Sequence, residues 1–554
     1  SRKFGSSVGA DKAATARSGY LPSRLSCFKI SNAVGNMSKE LLSRIMRPSY
    51  HSKIMKVEDT IKFFQHGQAL GMSGFTPAGY PKAIPVQLAK HVEESNLQGK
   101  MRFKVFTGAS TGAETMDKWA SLDMISDLYP YQTGKNIAKG INSGKIHFKD
   151  VHLSNFANNL SYGHYFGQGE LDVAIIEATE ILPDGSIIPG AASGICQEVV
   201  NKAQKILIEV NTSIPSFRGF HDVNYDLNPP HRRPFMISRV DDRCGDESVR
   251  LDAEKVVGIV ESQLPDNGRA LAAPSDVEVR IAEHLMDFLE SFVKSGALPN
   301  SLLPLQSGVG GIANAVMMGF GKSNFENLEL YTEVAQDNVL DLNDAGKLKF
   351  CSTAALSFSP SGFERFYKQF DEYRSKLLIR PQAVTNHPEM IRRLGLIAMN
   401  TPVEIDIFGH ANSTHALGSR LLNGIGGSGD FLRNGFLSIM HTPSARPSKT
   451  DPTGISCVVP FASHIDHTEH DVLIYVTEQG LADTRGLDPR SRARLIIEKC
   501  AHPDYKTQLL EYLTLAEKRH LEKGSGHVPH LLEKAFQMHI NFQNHGTMKL
   551  DSWE

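Results

Sequence analysis

Short, mainly apolar segments recur along this chain, and they constrain its fold more than any other feature. Three of them are Lys104–Phe106, Asp172–Glu177 and Ile206–Val210. Strands buried on both faces of a parallel sheet carry such continuous runs, whereas strands with one solvated face alternate apolar and polar residues. From about residue 55 onward the runs alternate with glycine-rich loops and helical patterns. This order is typical of α/β folds built on largely parallel sheets.

The chain has 554 residues, which is too long for one ordinary core, and it contains a weak internal echo. Residues 172–180 resemble residues 471–478, and a strand followed by a glycine loop occurs at both 106–112 and 302–311. We interpret this as two related open α/β domains, although chance similarity between apolar strands would also produce the echo. The polar segment 263–269, which precedes a helical pattern at Val277–Val293, is the predicted seam. The predicted domains are residues 40–262 and 263–554.

Composition argues against several classes of protein. The net charge is −2 and the isoelectric point is about 6.9, so the basic face that nucleic acid requires is not expected. We predict no membrane partner, because the sequence has no run of about 18 apolar residues that could span a bilayer. The six cysteines form no CxxC pair, which favours free thiols in a reducing compartment.

Residues 1–39 differ from the rest of the chain. They are rich in serine and hold seven Lys or Arg residues, while Asp11 is their one acid. A basic, serine-rich, acid-poor amino terminus is typical of an organelle transit peptide. We therefore predict a targeting segment and a mitochondrial location; a disordered tail is the alternative interpretation.

The most distinctive local pattern lies at Leu302–Val316, where a short apolar strand runs into Gly308, Gly310 and Gly311 and then into a helix. Glycine lets the backbone approach a ligand closely, and a helix start offers unpaired N–H groups. This combination suits a phosphate or the oxyanion of a tetrahedral intermediate. The spacing fits neither GxGxxG nor a P-loop. On this pattern alone, a tight strand-to-helix turn is an equally good interpretation.

An acidic residue lies inside a predicted strand that begins about twenty residues after Gly308. The strand is Leu328–Val334 and the acid is Glu333. Glutamate is disfavoured in buried strands, so its presence close to a glycine loop makes it a candidate catalytic group. Taken alone, a solvent-facing strand glutamate explains the pattern more simply.

A second glycine cluster, Asn423–Phe431, has four glycines in six residues and predicts a shaped backbone surface rather than a helix or strand. Lys449 follows in the Ser/Pro-rich loop Pro443–Pro452, where a cation could meet phosphate, or it is an ordinary surface lysine.

Three histidines, His464, His467 and His470, invite a metal interpretation. Their HxxHxxH spacing does not match the HExxH pattern of zinc enzymes, so we predict no metal site and expect pairing with neighbouring carboxylates instead.

Taken together, these segments resemble the acetyl-CoA hydrolase/transferase family of class I CoA-transferases. The residues that carry the resemblance are Gly308–Val316, Tyr331–Val334, Gly409–His415, Asn423–Phe431, Ser463–Asp471 and Thr477–Gly480. The resemblance implies two NagB/RpiA/CoA-transferase-like α/β domains, a homodimer, coenzyme A as a substrate, and no metal or redox cofactor. It implies that Glu333 is the nucleophile. The coenzyme A-binding residues that it implies are Gly308, Val309, Gly310, Gly311, Ile312, Asn423, Gly427 and Lys449.

The expected function is CoA transfer between acetyl-CoA or succinyl-CoA and succinate or acetate, through a thioester on Glu333. Hydrolysis of acetyl-CoA is the alternative, and a non-catalytic protein that binds CoA or a sugar phosphate is the second alternative. Transfer is preferred because a site that excludes water protects the thioester. A carboxylate nucleophile must be ionised, so we expect its pKa to stay near the ordinary value of roughly 4, or below the operating pH. Amides of the glycine loop are the expected oxyanion donors.

Overall fold

The computed structural model describes residues 38–166, 169–223, 229–230, 232–268 and 270–553. Nearly all of the predicted targeting segment, residues 1–37, therefore lies outside the described residues. Within the described ranges, no helix is both long enough and apolar enough to cross a membrane.

The amino-terminal half is built on a seven-stranded sheet in which every neighbouring pair is parallel, in the order β4-β3-β2-β1-β5-β8-β9. A two-stranded hairpin, β6 with β7, stands beside it. The strands are β1 (Ala69–Met72), β2 (Phe103–Phe106), β3 (Ile125–Tyr129), β4 (His147–Phe148), β5 (Leu171–Ala178), β6 (Glu180–Ile181), β7 (Ile187–Ile188), β8 (Ala203–Asn211) and β9 (Val256–Ser262). The helices are α1 (Lys39–Arg44), α2 (Ala83–Glu94), α3 (Lys118–Ser121), α4 (Lys135–Asn142), α5 (Leu153–Tyr162) and α6 (Cys196–Lys202).

The carboxy-terminal half is built on an eight-stranded sheet in the order β13-β12-β11-β10-β14-β19-β23-β24, parallel except for the last pair. Its strands are β10 (Leu305–Ser307), β11 (Leu328–Ala335), β12 (Leu348–Leu356), β13 (Leu377–Ile379), β14 (Ile397–Asn400), β19 (Leu437–His441), β23 (Ile474–Thr477) and β24 (Gly480–Asp483). Short strands outside this sheet are β15 (Glu404–Asp406), β16 (Ala411–Asn412), β17 (His415–Ala416), β18 (Arg420–Leu421), β20 (Ala445–Arg446), β21 (Ile455–Ser456) and β22 (Val458–Val459). The helices are α7 (Asp276–Lys294), α8 (Gly311–Lys322), α9 (Asp337–Asp344), α10 (Pro360–Lys368), α11 (Phe370–Tyr373), α12 (Gln382–Thr385), α13 (Pro388–Leu394), α14 (Ser428–Leu432), α15 (Pro489–Cys500), α16 (Pro503–Leu521) and α17 (Gln537–His545).

The two sheets share one strand order. Reading from the edge strands β4 and β13, each sheet runs backward through four strands, then jumps to the fifth and continues forward. The prediction of two related, largely parallel α/β halves is therefore confirmed. The particular echo that suggested it is wrong, because residues 172–180 contain β5, whose counterpart by position is β14 and not β23. Buried parallel strands have similar compositions wherever they stand in the order.

The predicted elements are present at nearly the predicted positions. The three apolar runs are β2, β5 and β8, and residues 277–293 lie within α7. Helix α7 begins with a capping box, because Ser275 and Glu278 each accept a hydrogen bond from the other's backbone amide. A shared apolar core joins the halves and contains Phe75 and Phe217 from the first together with Leu305 and Ile379 from the second.

The strand order reverses where β10 lies between β11 and β14. At such a switch point the loops after neighbouring strands diverge and leave a crevice at the carboxyl ends of the strands, which is the usual ligand site of open α/β sheets. Gly308 directly follows β10, and Glu333 lies near the end of β11. The topology thus brings the predicted loop and the predicted nucleophile to one crevice.

Candidate active site

A cavity of about 800 Å³ opens at this crevice. Its walls include the ends of β10, β11 and β14, the second glycine cluster, and side chains of the amino-terminal half such as Tyr131. Of the predicted site residues, those that line it are Gly308, Val309, Glu333, Asn423 and Gly427. The structure therefore brings together two glycine segments and an acid that are far apart in sequence.

Strand register explains why Glu333 meets the Gly308 loop. Leu305 of β10 pairs with Leu330 of β11, and Gly308 and Glu333 each stand three residues further along. A hydrogen bond of 3.1 Å from the Thr332 hydroxyl to the Ser307 carbonyl joins the strands just before this point.

Alternation along β11 sets the direction of the Glu333 side chain. Tyr331 and Glu333 are two residues apart and share one face of the strand. That face is covered by α12, since the Tyr331 hydroxyl donates a hydrogen bond of 2.8 Å to the Val384 carbonyl. Asn386 follows the same helix, and its Nδ2 donates a bond of 2.8 Å to Glu333 Oε2. Among the described residues, no donor reaches the other oxygen, Oε1, so this oxygen is free to react.

Burial raises the pKa of the Glu333 carboxyl to about 7, against an ordinary value of 4.5. The hydrogen bond from Asn386 lowers this pKa in part, and the nearby charge of Asp430 raises it further. The pKa therefore lies above the ordinary value, because the effect of burial outweighs the hydrogen bond from Asn386, while the expectation that it need only stay below the operating pH is not contradicted. A carboxylate with a raised pKa and little hydration is a stronger nucleophile than one in bulk water.

Gly427 packs directly against this pair. Its φ of −96° is open to any residue, so its requirement is one of space. A Cβ at this position would overlap both Glu333 Oε2 and Asn386 Nδ2. The second glycine cluster thus closes over the carboxylate, and any side chain here would displace the reacting group.

The Gly308 loop contributes less directly than expected. The Gly308 amide donates a hydrogen bond of 3.0 Å to the Met399 carbonyl and is not available to an oxyanion. Val309 is 47% exposed and lines the cavity. Gly310 has a φ of 117°, which favours glycine, and it precedes α8. Gly310 and Gly311 are exposed and Ile312 is buried, and none of the three lines the cavity. Their contact with coenzyme A stays a prediction.

Lys449 is exposed and does not line the cavity. The arginines on the described cavity wall are Arg420 and Arg446. Arg446 lies three residues before Lys449, and its guanidinium is oriented by a hydrogen bond of 2.8 Å to the Pro402 carbonyl. The cavity lining therefore includes Arg446 but not Lys449, and the contact of Lys449 with coenzyme A stays a prediction.

Within the described ranges, no group of three His, Cys, Asp or Glu residues is arranged to hold a metal ion. His464 lies 3.2 Å from Asp466, and His470 lies 3.3 Å from Glu469, as expected for loop histidines beside carboxylates. His467 is buried instead, where its Nε2 lies 3.2 Å from the Ser428 hydroxyl, and burial lowers its pKa to about 4.

Two family profiles match the chain. The acetyl-CoA hydrolase/transferase N-terminal domain matches residues 38–261, and the C-terminal domain of the same family matches residues 362–513. The chain belongs to the acetyl-CoA hydrolase/transferase family. Glu333 falls between the two matched segments of this family member, so its candidacy rests on the geometry described above.

Curated relatives of this acetyl-CoA hydrolase/transferase family member are similar over nearly their full length. A protein named acetyl-CoA hydrolase from Schizosaccharomyces pombe is 55% identical over 523 residues, covering 93% of this chain and 100% of the relative. The protein of the same name from Saccharomyces cerevisiae is 51% identical over 522 residues, covering 94% and 99%.

Solved structures show the same fold at low sequence identity. RipA from Yersinia pestis superposes with a TM-score of 0.65 at 20% identity, covering 85% of this chain and 98% of RipA. A 4-hydroxybutyrate CoA-transferase from Porphyromonas gingivalis gives a TM-score of 0.55 at 19% identity, covering 84% and 98%. The likeness of this family member to CoA-transferases is a likeness of fold.

Sequence reasoning missed Asn386, Tyr131 and Arg446. Asn386 follows a four-residue helix and stands 53 positions from Glu333. Tyr131 comes from the other half, where its ring lies close to Gly424 and Gly426. No local pattern identifies such contacts. Of the three, only Arg446 could have been identified from the sequence, because it is a cation in the same loop as Lys449.

Proposed function

We propose that this chain processes acetyl-CoA by covalent catalysis on Glu333, with acetate and free coenzyme A as the net products. The observation that carries the proposal is the state of the Glu333 carboxylate. One of its oxygens is held by Asn386, the other is free, and both lie at the wall of a cavity large enough for a thioester substrate.

In the first step, Oε1 attacks the carbonyl carbon of acetyl-CoA. The C–S bond breaks, coenzyme A leaves as its thiolate, and a mixed anhydride of acetate and Glu333 forms. Burial supports this step, because a poorly hydrated carboxylate does not first have to shed water.

In the second step, the thiolate attacks the glutamyl carbon of the anhydride. Acetate leaves with the electron pair of the broken C–O bond, and a glutamyl-CoA thioester remains. Oε2 carries the developing negative charge of this tetrahedral intermediate, and it is the oxygen to which Asn386 Nδ2 already donates. A donor fixed in advance at the oxyanion position lowers the barrier without reorganisation.

In the third step, water attacks the glutamyl carbon, coenzyme A is released, and the Glu333 carboxylate is restored. The relatives' shared name, acetyl-CoA hydrolase, supports water as the acceptor. This reverses the order of the two functions expected from the sequence, in which transfer stood first.

CoA transfer to an acid is the second candidate function. A carboxylate acceptor such as succinate would attack the same thioester, and the resulting thiolate would then attack the acceptor's carbonyl to give a new acyl-CoA. The burial that raises the Glu333 pKa favours this outcome, since it reflects a site poor in water.

Release of coenzyme A from acetyl-CoA, measured with and without succinate, separates the two functions. Rapid release without any acid, together with no succinyl-CoA when succinate is added, supports hydrolysis. Release that depends on succinate, with stoichiometric succinyl-CoA, supports transfer and overturns the hydrolytic proposal. The Glu333→Ala variant is the matched control, since it removes both reactions while retaining CoA binding.

A non-catalytic protein would bind coenzyme A without turnover in either assay. The mitochondrial location and the homodimer remain predictions from the sequence, which cell fractionation and light scattering test.

A further inference from the structure

A second buried carboxylate lies behind the nucleophile. Asp430, in α14, is 3% exposed and belongs to no step described so far. Its Oδ2 accepts hydrogen bonds of 2.9 Å from the Ser154 amide and 3.2 Å from Asn386 Nδ2. Its Oδ1 accepts a bond of 2.5 Å from the Ser154 hydroxyl. Three donors therefore converge on this one carboxylate.

The Asn386 side chain stands between two acids. Its Nδ2 donates to Glu333 Oε2 on one side and to Asp430 Oδ2 on the other. Its Oδ1 accepts a bond of 2.9 Å from the Thr385 hydroxyl. If the amide turned over, its oxygen would face both carboxylates and both donations would be lost. Asp430 and Thr385 thus fix which end of the amide faces the nucleophile.

We propose that Asp430 is a positioning residue, which holds the NH₂ group of Asn386 on Glu333 and which is itself held by Ser154 of the amino-terminal half. The inference rests on the proposed function. It links the docking of the two halves to the geometry of the nucleophile, since Ser154 belongs to α5 and the other residues belong to the second half.

The amino end of α5 is suited to this task. Ser154 lies in the first turn of the ten-residue helix, where backbone N–H groups and the helix dipole favour an anion. The charged or titratable groups that face Asp430 are Glu333 and His152, the latter from the residue before α5. Burial raises the pKa of Asp430, while its bonds to Ser154 and the proximity of His152 lower it.

Asp430 and Asn386 act on Glu333 in opposite electrostatic directions. The charge of Asp430 raises the Glu333 pKa, and the hydrogen bond from Asn386 lowers it. The nucleophile must be ionised, so activity falls as pH drops through the Glu333 pKa, which gives the pH profile an acid limb near 7. A neutral residue at 430 removes the charge that raises the Glu333 pKa and also releases the hydrogen bond that lowers it, so the two effects on the acid limb oppose each other. The readout that separates positioning from a purely structural role is therefore a loss of kcat without a loss of coenzyme A binding.

The test uses Asp430→Asn in the full chain. An amide cannot accept from three donors without turning its own NH₂ toward one of them. We expect kcat for acetyl-CoA to fall by about tenfold or more, with the Kd for coenzyme A unchanged within about twofold. A wild-type kcat would overturn the inference, and so would a loss of kcat accompanied by an equal loss of coenzyme A affinity.

Ser154→Ala provides a second test that leaves Asp430 in place. It removes the hydroxyl donor and keeps the amide donor, so we expect a smaller loss of kcat, about threefold, with an unchanged Kd for coenzyme A. Ser121→Ala is the matched control, because the Ser121 hydroxyl bonds only to the Lys118 carbonyl on the surface. If Asp430→Asn fails to fold, a wild-type kcat in Ser154→Ala overturns the inference.

The failure of this inference and that of the proposed function are distinguishable. If the wild-type chain forms no covalent adduct on Glu333 with acetyl-CoA, the proposed function fails. If the adduct forms and both variants match the wild type, only the role of Asp430 fails.

Discussion

The side-chain amide of Asn386 donates a hydrogen bond of 2.8 Å to Oε2 of Glu333, across 53 positions of sequence. This contact distinguishes the two carboxylate oxygens. In the proposed mechanism, Oε2 becomes the oxyanion and Oε1 attacks the substrate. Each of the following expectations depends on that division or on the cavity around it.

Replacing Asn386 with Ala removes the donor. We expect kcat/KM for acetyl-CoA to fall by about 10²- to 10³-fold, which is the usual cost of losing one oxyanion donor. The acid limb of the pH profile should move to higher pH, because the lost hydrogen bond had favoured the ionised form. Steady-state rates over a pH series check both effects. An unchanged kcat/KM would show that Asn386 does not stabilise the transition state.

Adding one methyl group at position 427 tests how closely the second glycine cluster covers the nucleophile. Because a Cβ there would overlap Glu333 Oε2 and Asn386 Nδ2, we expect Gly427→Ala to lose more than about 99% of its activity. Gly321→Ala is the matched control, since its Cβ would meet only Leu342 at 4.0 Å and should leave the rate unaltered. Activity in Gly427→Ala close to that of the control would contradict the geometry.

The position of Arg446 on the cavity wall leads to a prediction about the phosphates of coenzyme A. Gln at 446 retains a donor for the Pro402 carbonyl and removes the charge. We expect Arg446→Gln to raise KM for acetyl-CoA by about tenfold and to leave KM for acetyl-pantetheine, which lacks phosphates, unchanged. Lys449→Ala, exposed and off the cavity, should leave both KM values unchanged. If Lys449→Ala raises KM for acetyl-CoA more than Arg446→Gln does, the predicted contact of Lys449 with coenzyme A is supported instead.

The buried Glu333 carboxylate should lower stability at alkaline pH. Its folded-state pKa of about 7 exceeds the ordinary 4.5, so the native state binds more protons between these values and loses stability as pH rises through them. We expect Glu333→Gln to be more stable than the wild type by roughly 2–3 kcal/mol at pH 8 and by little at pH 5. Denaturant titrations at both pH values measure this, and an equal difference at both would contradict the raised pKa.

Apolar continuity was sufficient to predict the parallel sheets. The association of the Gly308 loop with Glu333 was expected from the family resemblance, because each pattern taken alone left another interpretation open. The environment of Glu333 was not predictable in the same way. Its donor, Asn386, comes from a short helix, and its cover, Gly427, comes from a loop. These contacts depend on how two domains dock, which no local periodicity encodes.

The position of Lys449 outside the cavity lining was not predictable for a similar reason. A cation near phosphate was a sound chemical expectation, but the loop that carries it makes a two-stranded turn between Arg446 and Ile455. A displacement of three residues changes which side chain faces the cavity. The raised pKa of Glu333 was not predictable either, because burial within a strand is set by the helix packed above it.

The most direct test of covalent catalysis on Glu333 is peptide mass analysis after incubation with acetyl-CoA and then borohydride. Borohydride reduces a glutamyl thioester to a primary alcohol and leaves a free carboxylate unchanged. The account predicts that this alcohol appears at Glu333 alone, that it requires acetyl-CoA, and that it is absent from Glu333→Gln. A chain that turns over acetyl-CoA at full rate while Glu333 stays unmodified would contradict it.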